Sequence, residues 1–116
     1  MLLEKNVSSF PLTAMPKILV LFNLKSGVNP AEYEAWATTA DVPTVKSLKS
    51  VADFQVLRAA SVLGSDAAPP YGYFEIIDVE DMQQFFADIS TDAVQKGAAK
   101  FAEYADNPVF IVTEHL

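Results

Sequence analysis

The 116-residue chain contains no cysteine. Disulfides, thiolate nucleophiles and any cysteine-based zinc or iron-sulfur site are therefore excluded together. There is one histidine, His115, so a histidine-rich metal site is excluded as well. Only four glycines are present, and no phosphate-cradling loop, nucleophile elbow, metal-ligand spacing or dinucleotide fingerprint can be found. The expectation is a protein without metal or cofactor. No stretch reaches the roughly 18 apolar residues that a membrane span requires. Basic residues are also few, 8 against 15 acidic ones, for a net charge of -7. Such a surface repels a phosphate backbone, so neither nucleic acid nor membrane is an expected partner. Residues 1–14 lack a basic start followed by a sustained apolar run and do not read as a secretory signal, which makes a cytoplasmic location the expectation. They read as an N-terminal extension ahead of a domain over residues 15–116, with Met15 as a candidate start; Phe10-Pro11-Leu12 packing on the domain edge is the other reading.

What is present is a half-apolar composition, 51% hydrophobic with 20% charged residues, in a length suited to one folded domain. The chain is organised around Lys17 to Lys25, KILVLFNLK. Its branched and aromatic residues favour a central strand. Side chains alternate with period two, so Ile18, Val20, Phe22 and Leu24 take one face and Leu19, Leu21 and Asn23 the other. Both faces are apolar, and both need a cover.

Asn29-Pro30-Ala31-Glu32 reads as a capped helix start. Tyr33, Trp36, Ala37 and Ala40 then recur at helical spacing. Pro43 is expected to interrupt this helix, with a second short piece over 44–48 set at an angle. Residues 53–63 alternate as a second strand, 64–70 form a loop, and 71–77 make a third strand. Asp78 or Asp81 caps the next helix, which buries Met82, Phe85, Phe86 and Ile89. A further helix from about Ser90 or Thr91 buries Val94, Phe101 and Ala105 and stops at Asn107-Pro108, and 109–114 form the last strand. With right-handed crossovers this order gives an α+β, ferredoxin-like βαββαβ sandwich: a four-stranded antiparallel sheet with the first and third strands central and the helices on one face. The other face would remain a large apolar patch, and a homodimer in which two sheets close into a barrel would bury it.

Candidate chemistry lies in a handful of polar residues. Asp41 stands at the expected helix break, where it either caps the following piece or faces the helix-sheet cleft as a general acid or base. Arg58, on a strand between apolar neighbours, needs a partner: Asp41, Glu75 or a substrate carboxylate. Glu75 shares a face with Tyr71 and Tyr73 and reads as a polar point in an apolar cavity or as a dimer contact. Tyr33 and Trp36 are candidates for pocket walls or plain core packing, and Tyr73 for a third wall. Asn23 is expected to make a hydrogen bond across the barrel or a ligand contact. His115, next to last, reads as a surface histidine despite its suitable pKa.

The strings KILVLFNLKSG from Lys17, AEYEAWATTADVPTVKSL from Ala31, FQVLR from Phe54 and the closing PVFIVTEHL resemble the RedY-like HapK proteins of the dimeric α/β barrel superfamily. The resemblance runs from about Met15 to Leu116. It implies a homodimer of ferredoxin-like protomers and an association with prodigiosin-type tripyrrole pathways. Several members of that superfamily place a histidine early in the first strand or in a His-x-Pro string at the end of the first helix; here Ile18 and Asp41 occupy those positions. Two functions follow as expectations. One is a cofactor-free enzyme of pyrrole or aromatic metabolism, with Asp41 as acid or base, Arg58 orienting an anionic group, and Tyr33, Trp36, Tyr73 and Glu75 around the substrate. The other is a non-catalytic binding or accessory protein for a hydrophobic intermediate.

Overall fold

A computed structural model describes residues 16–116; the expectations for residues 1–14 lie outside this range. Strand β1 spans Lys17–Leu24 and is followed by helix α1, Pro30–Trp36. A π turn over Ala37–Asp41 leads directly into α2, Val42–Lys46. Strands β2, Val51–Arg58, and β3, Tyr73–Val79, come next, then α3, Met82–Asp88, α4, Asp92–Tyr104, and β4, Ala105–Val112. The sheet is antiparallel in the order β2-β3-β1-β4, which puts the first and third strands at its centre.

The alternation of β1 decides the core. Ile18, Val20 and Phe22 are buried beneath the helices, while Leu19 and Leu21 remain half-buried on the reverse face. Register continues both faces across the sheet: Leu19 and Leu21 lie opposite Ile76 and Phe74 on one side and Ile111 and Val109 on the other. Within the described residues this outer face is an apolar sheet that no helix covers, with Leu57, Val109 and Ile111 each more than two-fifths exposed. On the inner face Phe22 centres an aromatic cluster. Its ring stacks on Tyr73 at 5.7 Å and meets Tyr33 and Phe101 edge-on at 5.7 and 4.9 Å. Each such pair contributes about 0.5–1.5 kcal/mol beyond the area it buries.

The starts of α1 and α3 follow the capping rules. Asn29 Oδ1 accepts from the Ala31 N–H at 2.9 Å, with Pro30 as the first helical residue. Of the two candidates for the second cap, Asp81 is the one used, accepting from Gln83 and Gln84 at 3.0 and 3.1 Å.

The structure corrects several expectations. Pro43 does not break the helical run, because the preceding turn widens: the Val42 N–H reaches Ala37 O, five residues back. The Thr38 and Thr39 hydroxyls add bonds to the Glu34 and Ala35 carbonyls at 2.9 and 2.7 Å, supporting the backbone where its ladder changes pitch. Strand β2 ends at Arg58 rather than running to Leu63, and β3 starts at Tyr73, leaving Tyr71 in the approach to it. Phe86 is not buried with Phe85; it stays 37% exposed. Asn107-Pro108 lies within β4 rather than ahead of it: Asn107 adopts φ 46°, and the β1–β4 register shifts between Leu21 and Asn23, so the irregularity is absorbed as a bulge. Ala105, correctly expected to be buried, belongs to this strand and not to the helix. Asn23 bonds within its own chain, donating to Pro70 O at 3.1 Å and accepting from the Gly72 N–H at 2.8 Å, so it pins the loop that feeds β3.

Candidate functional site

Between the inner face of the sheet and the helices lies a cavity of about 570 Å³, within the range of roughly 300–1,000 Å³ typical of small-molecule sites. Ile18, Phe54 and Ile77 form its floor, Trp36 and Val45 one wall, and Phe85 and Phe101 another. Phe110 and Val112 of β4, 59% and 46% exposed, line the side open to solvent. Two carboxyls interrupt this apolar surface, Glu75 from β3 and Asp41 from the end of the π turn.

Glu75 is placed there by strand alternation. Tyr73, Glu75, Ile77 and Val79 share the inward face of β3, and Glu75 is 6% exposed. Its Oε2 is buried with no hydrogen-bond partner among the described residues. Burial, reinforced by the nearby charge of Asp41, pushes the carboxyl up to about 8. A neutral, proton-bearing acid therefore projects into the cavity at neutral pH. Asp41 is half-buried and makes no cap bond, against the reading that it caps the following piece. Burial raises it to about 6. Two carboxyls of one cavity thus differ in proton affinity, the condition for dividing acid and base roles between them. The π turn carries Asp41 onto the cavity side of the helical run, as such turns often do at functional sites.

Tyr33 lies behind this pair. It is fully buried, its hydroxyl has no partner among the described residues, and its phenol is driven upward by burial and then by Glu75 and Asp41. It packs edge-on to Tyr73 and Tyr104 at 5.0 and 5.5 Å and does not line the cavity. Of the six residues singled out from sequence, the cavity therefore gathers Trp36, Asp41 and Glu75 and leaves out Tyr33, Tyr73 and Arg58.

Arg58 pairs with neither Asp41 nor Glu75. Its Nη1 donates to both carboxylate oxygens of Glu34 at 2.7 and 2.9 Å, and the Tyr73 hydroxyl donates to Glu34 Oε2 at 2.7 Å. The register opposes Arg58 and Tyr73 across β2 and β3, so both reach the same carboxylate on α1. The Tyr73 bond, and then the Arg58 bond, hold Glu34 below its ordinary range; burial and the bond to Glu34 push Tyr73 up to about 12. This cluster ties α1 to the sheet at the end away from Asp41. Glu34 was not singled out from sequence, since only the strand register reveals its two partners.

Among the described residues no group of three or more His, Asp or Glu side chains is placed to hold a metal ion. Nor is any helix among them long and apolar enough to cross a membrane.

Comparison with known proteins accords with this geometry. A family model described as REDY-like protein HapK matches residues 16–116. The crystal structure of HapK from Hahella chejuensis is 29% identical, superposes with a TM-score of 0.71, and the match covers 88% of this chain and 93% of that one. A dimeric ferredoxin-like protein from Thermobifida fusca has a TM-score of 0.66 at 17% identity, covering 88% and 92% of the two chains. SnoaB, a cofactor-independent oxygenase from Streptomyces nogalater, has a TM-score of 0.66 at 13% identity, covering 84% and 89%. The last two likenesses establish the ferredoxin-like fold alone. No curated protein matches.

Proposed function

This chain belongs to the REDY-like HapK family, and on that footing we propose that it is a cofactor-free enzyme of pyrrole or aromatic secondary metabolism, acting on an apolar ring held between helices and sheet. The observation that carries the reading is the pair of unequally acidic carboxyls, Glu75 and Asp41, in an otherwise apolar cavity. At neutral pH Glu75 holds a proton to donate and Asp41 is ionised and able to accept one. The pair can therefore remove a proton from one atom of a ring substrate and deliver one to another, a relocation that needs no oxidant or reductant. Trp36 and Phe54 supply flat walls for the ring. Arg58 braces the fold through Glu34 in this scheme and does not orient an anionic group. SnoaB, which shares the fold, is named as a cofactor-independent oxygenase, and that supports small-molecule chemistry on this scaffold without a bound helper.

The working form is a homodimer. The uncovered outer face around Leu19, Leu21, Phe74 and Ile76 supports this, as does the dimeric state named for the Thermobifida fusca protein.

A non-catalytic carrier of a hydrophobic intermediate is the second reading. It is favoured by walls that are apolar apart from the two carboxyls, Thr44, Gln95 and two lysines. Calorimetric screening with pyrrole, indole and phenolic compounds, paired with product analysis of every compound that binds, separates the two. Binding with conversion is expected. Binding without conversion of any compound would establish the carrier, and no binding at all would remove both readings.

A further inference from the structure

Among the described residues two buried side-chain oxygens have no hydrogen-bond partner, Tyr33 Oη and Glu75 Oε2. Both are closed off from solvent, so bulk water does not serve them. Buried polar atoms of native proteins are almost always bonded, and each exception calls for a reason. The sheet offers Glu75 nothing, because its neighbours across the register are Val20 on β1 and Val56 on β2. A partner must come from the helical layer. Lys96 and Lys100 of α4 line the same cavity, but Lys96 is exposed, and Lys100 lies 3.5 Å from Glu103 and 5.1 Å from the centre of the Tyr104 ring. Asp41, from the π turn, is ionised at neutral pH and has no proton to give. The Tyr33 phenol, which burial keeps protonated, is the remaining donor.

Packing brings the two groups into one buried layer. The Tyr33 ring meets Tyr73 edge-on at 5.0 Å, and Tyr73 precedes Glu75 by two residues on the inward face of β3. Of the ionisable groups around the phenol, Glu75 acts on it most strongly, ahead of Asp41, Tyr73 and Glu34. Glu34 is already bonded to Tyr73 and Arg58. We infer that Tyr33 is a positioning residue for Glu75: its hydroxyl turns to donate to Oε2 when that carboxyl gives up its proton, and holds the carboxylate that remains. The proton of Glu75 goes to the substrate, and Tyr33 keeps its own. A hydrogen bond to an ionised acceptor is about twice as strong as one between neutral groups, so this contact favours the ionised form. It limits the cost of leaving a charge in an apolar site. This inference rests on the reading of Glu75 as the acid of the cavity; Tyr33 does not line the cavity and acts through Glu75.

The test is a carboxyl-detected NMR titration of the full chain, comparing wild type with Tyr33→Phe. In the variant Glu75 should titrate higher by about one pH unit, the difference between a charged and a neutral hydrogen bond, with the Asp41 step displaced far less. Tyr73→Phe, which removes the neighbouring phenol, should leave Glu75 where it is in wild type. In wild type itself the Tyr33 Cζ resonance should shift as Glu75 ionises. Urea denaturation gives a second readout. Tyr33→Phe should match or exceed wild type at pH 5, where Glu75 holds its proton, and fall below it at pH 9; in a Glu75→Gln background that pH dependence should vanish. A hydroxyl that only fills space would leave the Glu75 titration unmoved and change stability equally at both pH values. Glu75 titrating near 8 in wild type and in Tyr33→Phe alike, or rising equally in Tyr73→Phe, overturns the role of Tyr33 and leaves the acid in place. Glu75 titrating near the ordinary 4.5 in wild type removes the acid itself and this inference with it.

Discussion

Glu75 and Asp41 approach one apolar cavity from different layers of the fold, the first from the central strand β3 and the second from the π turn above it, and the charge on Asp41 helps keep the proton on Glu75. The relationship has thermodynamic consequences that can be measured without knowing the substrate.

The folded state binds the Glu75 proton more tightly than the unfolded state does, since the carboxyl is raised from 4.5 to about 8. Between those values the native protein carries more protons, so stability falls as pH rises through the window. The loss is absent below about pH 4 and complete above about pH 8. Its full size is on the order of 5 kcal/mol. Glu75→Gln abolishes this dependence. Urea denaturation at pH 5 and pH 9 should show the variant gaining on wild type by several kcal/mol at the higher pH, through a change in midpoint at constant slope.

Asp41→Asn should abolish turnover of any substrate found while leaving the dimer and its melting temperature nearly unchanged. Where wild type turns over, the rate profile should be bell-shaped. It rises as Asp41 loses its proton near pH 6 and falls as Glu75 loses its own near pH 8, the two limbs belonging to the pair. Full activity in Asp41→Asn would remove the role assigned to that carboxylate.

Arg58→Gln should leave ligand affinity and turnover as they are. The guanidinium serves Glu34, and the Tyr73 hydroxyl continues to hold that carboxylate when Arg58 is gone. A collapse of affinity for this variant alone would place Arg58 in the site after all.

Leu21→Lys puts a charge at the centre of the outer sheet face, between Phe74 and Val109. It should convert a dimer into a monomer by analytical ultracentrifugation at micromolar concentration, because desolvating the ammonium against apolar strands is prohibitive. Wild-type protein sedimenting as a monomer would remove the pairing itself.

Most of the fold was legible in the sequence because period-two burial in β1 and β3 and the caps at Asn29 and Asp81 are local signals. The same alternation puts Glu75 on one face with Tyr73 but does not say which face that is; only the folded sheet turns it inward. What was not legible depends on competition or on distance along the chain. Pro43 signalled a break, and only a five-residue backbone bond with support from Thr38 and Thr39 shows how the helical run survives it. The partner of Arg58 sits 24 residues away on a different element, and that of Asn23 lies 47 to 49 residues on. No periodicity encodes such pairs. The raised proton affinity of Glu75 is likewise a property of the assembled cavity; sequence leaves the residue between a polar point in an apolar cavity and a dimer contact, without the role of acid.

Carbon-detected NMR titration of the side-chain carboxyls tests the central claim most directly, since it reads the proton on Glu75 without a substrate. The account predicts that the Glu75 resonance changes near pH 8 and that of Asp41 near pH 6, with each step felt weakly at the other residue. A Glu75 resonance that titrates near the ordinary 4.5 would contradict it.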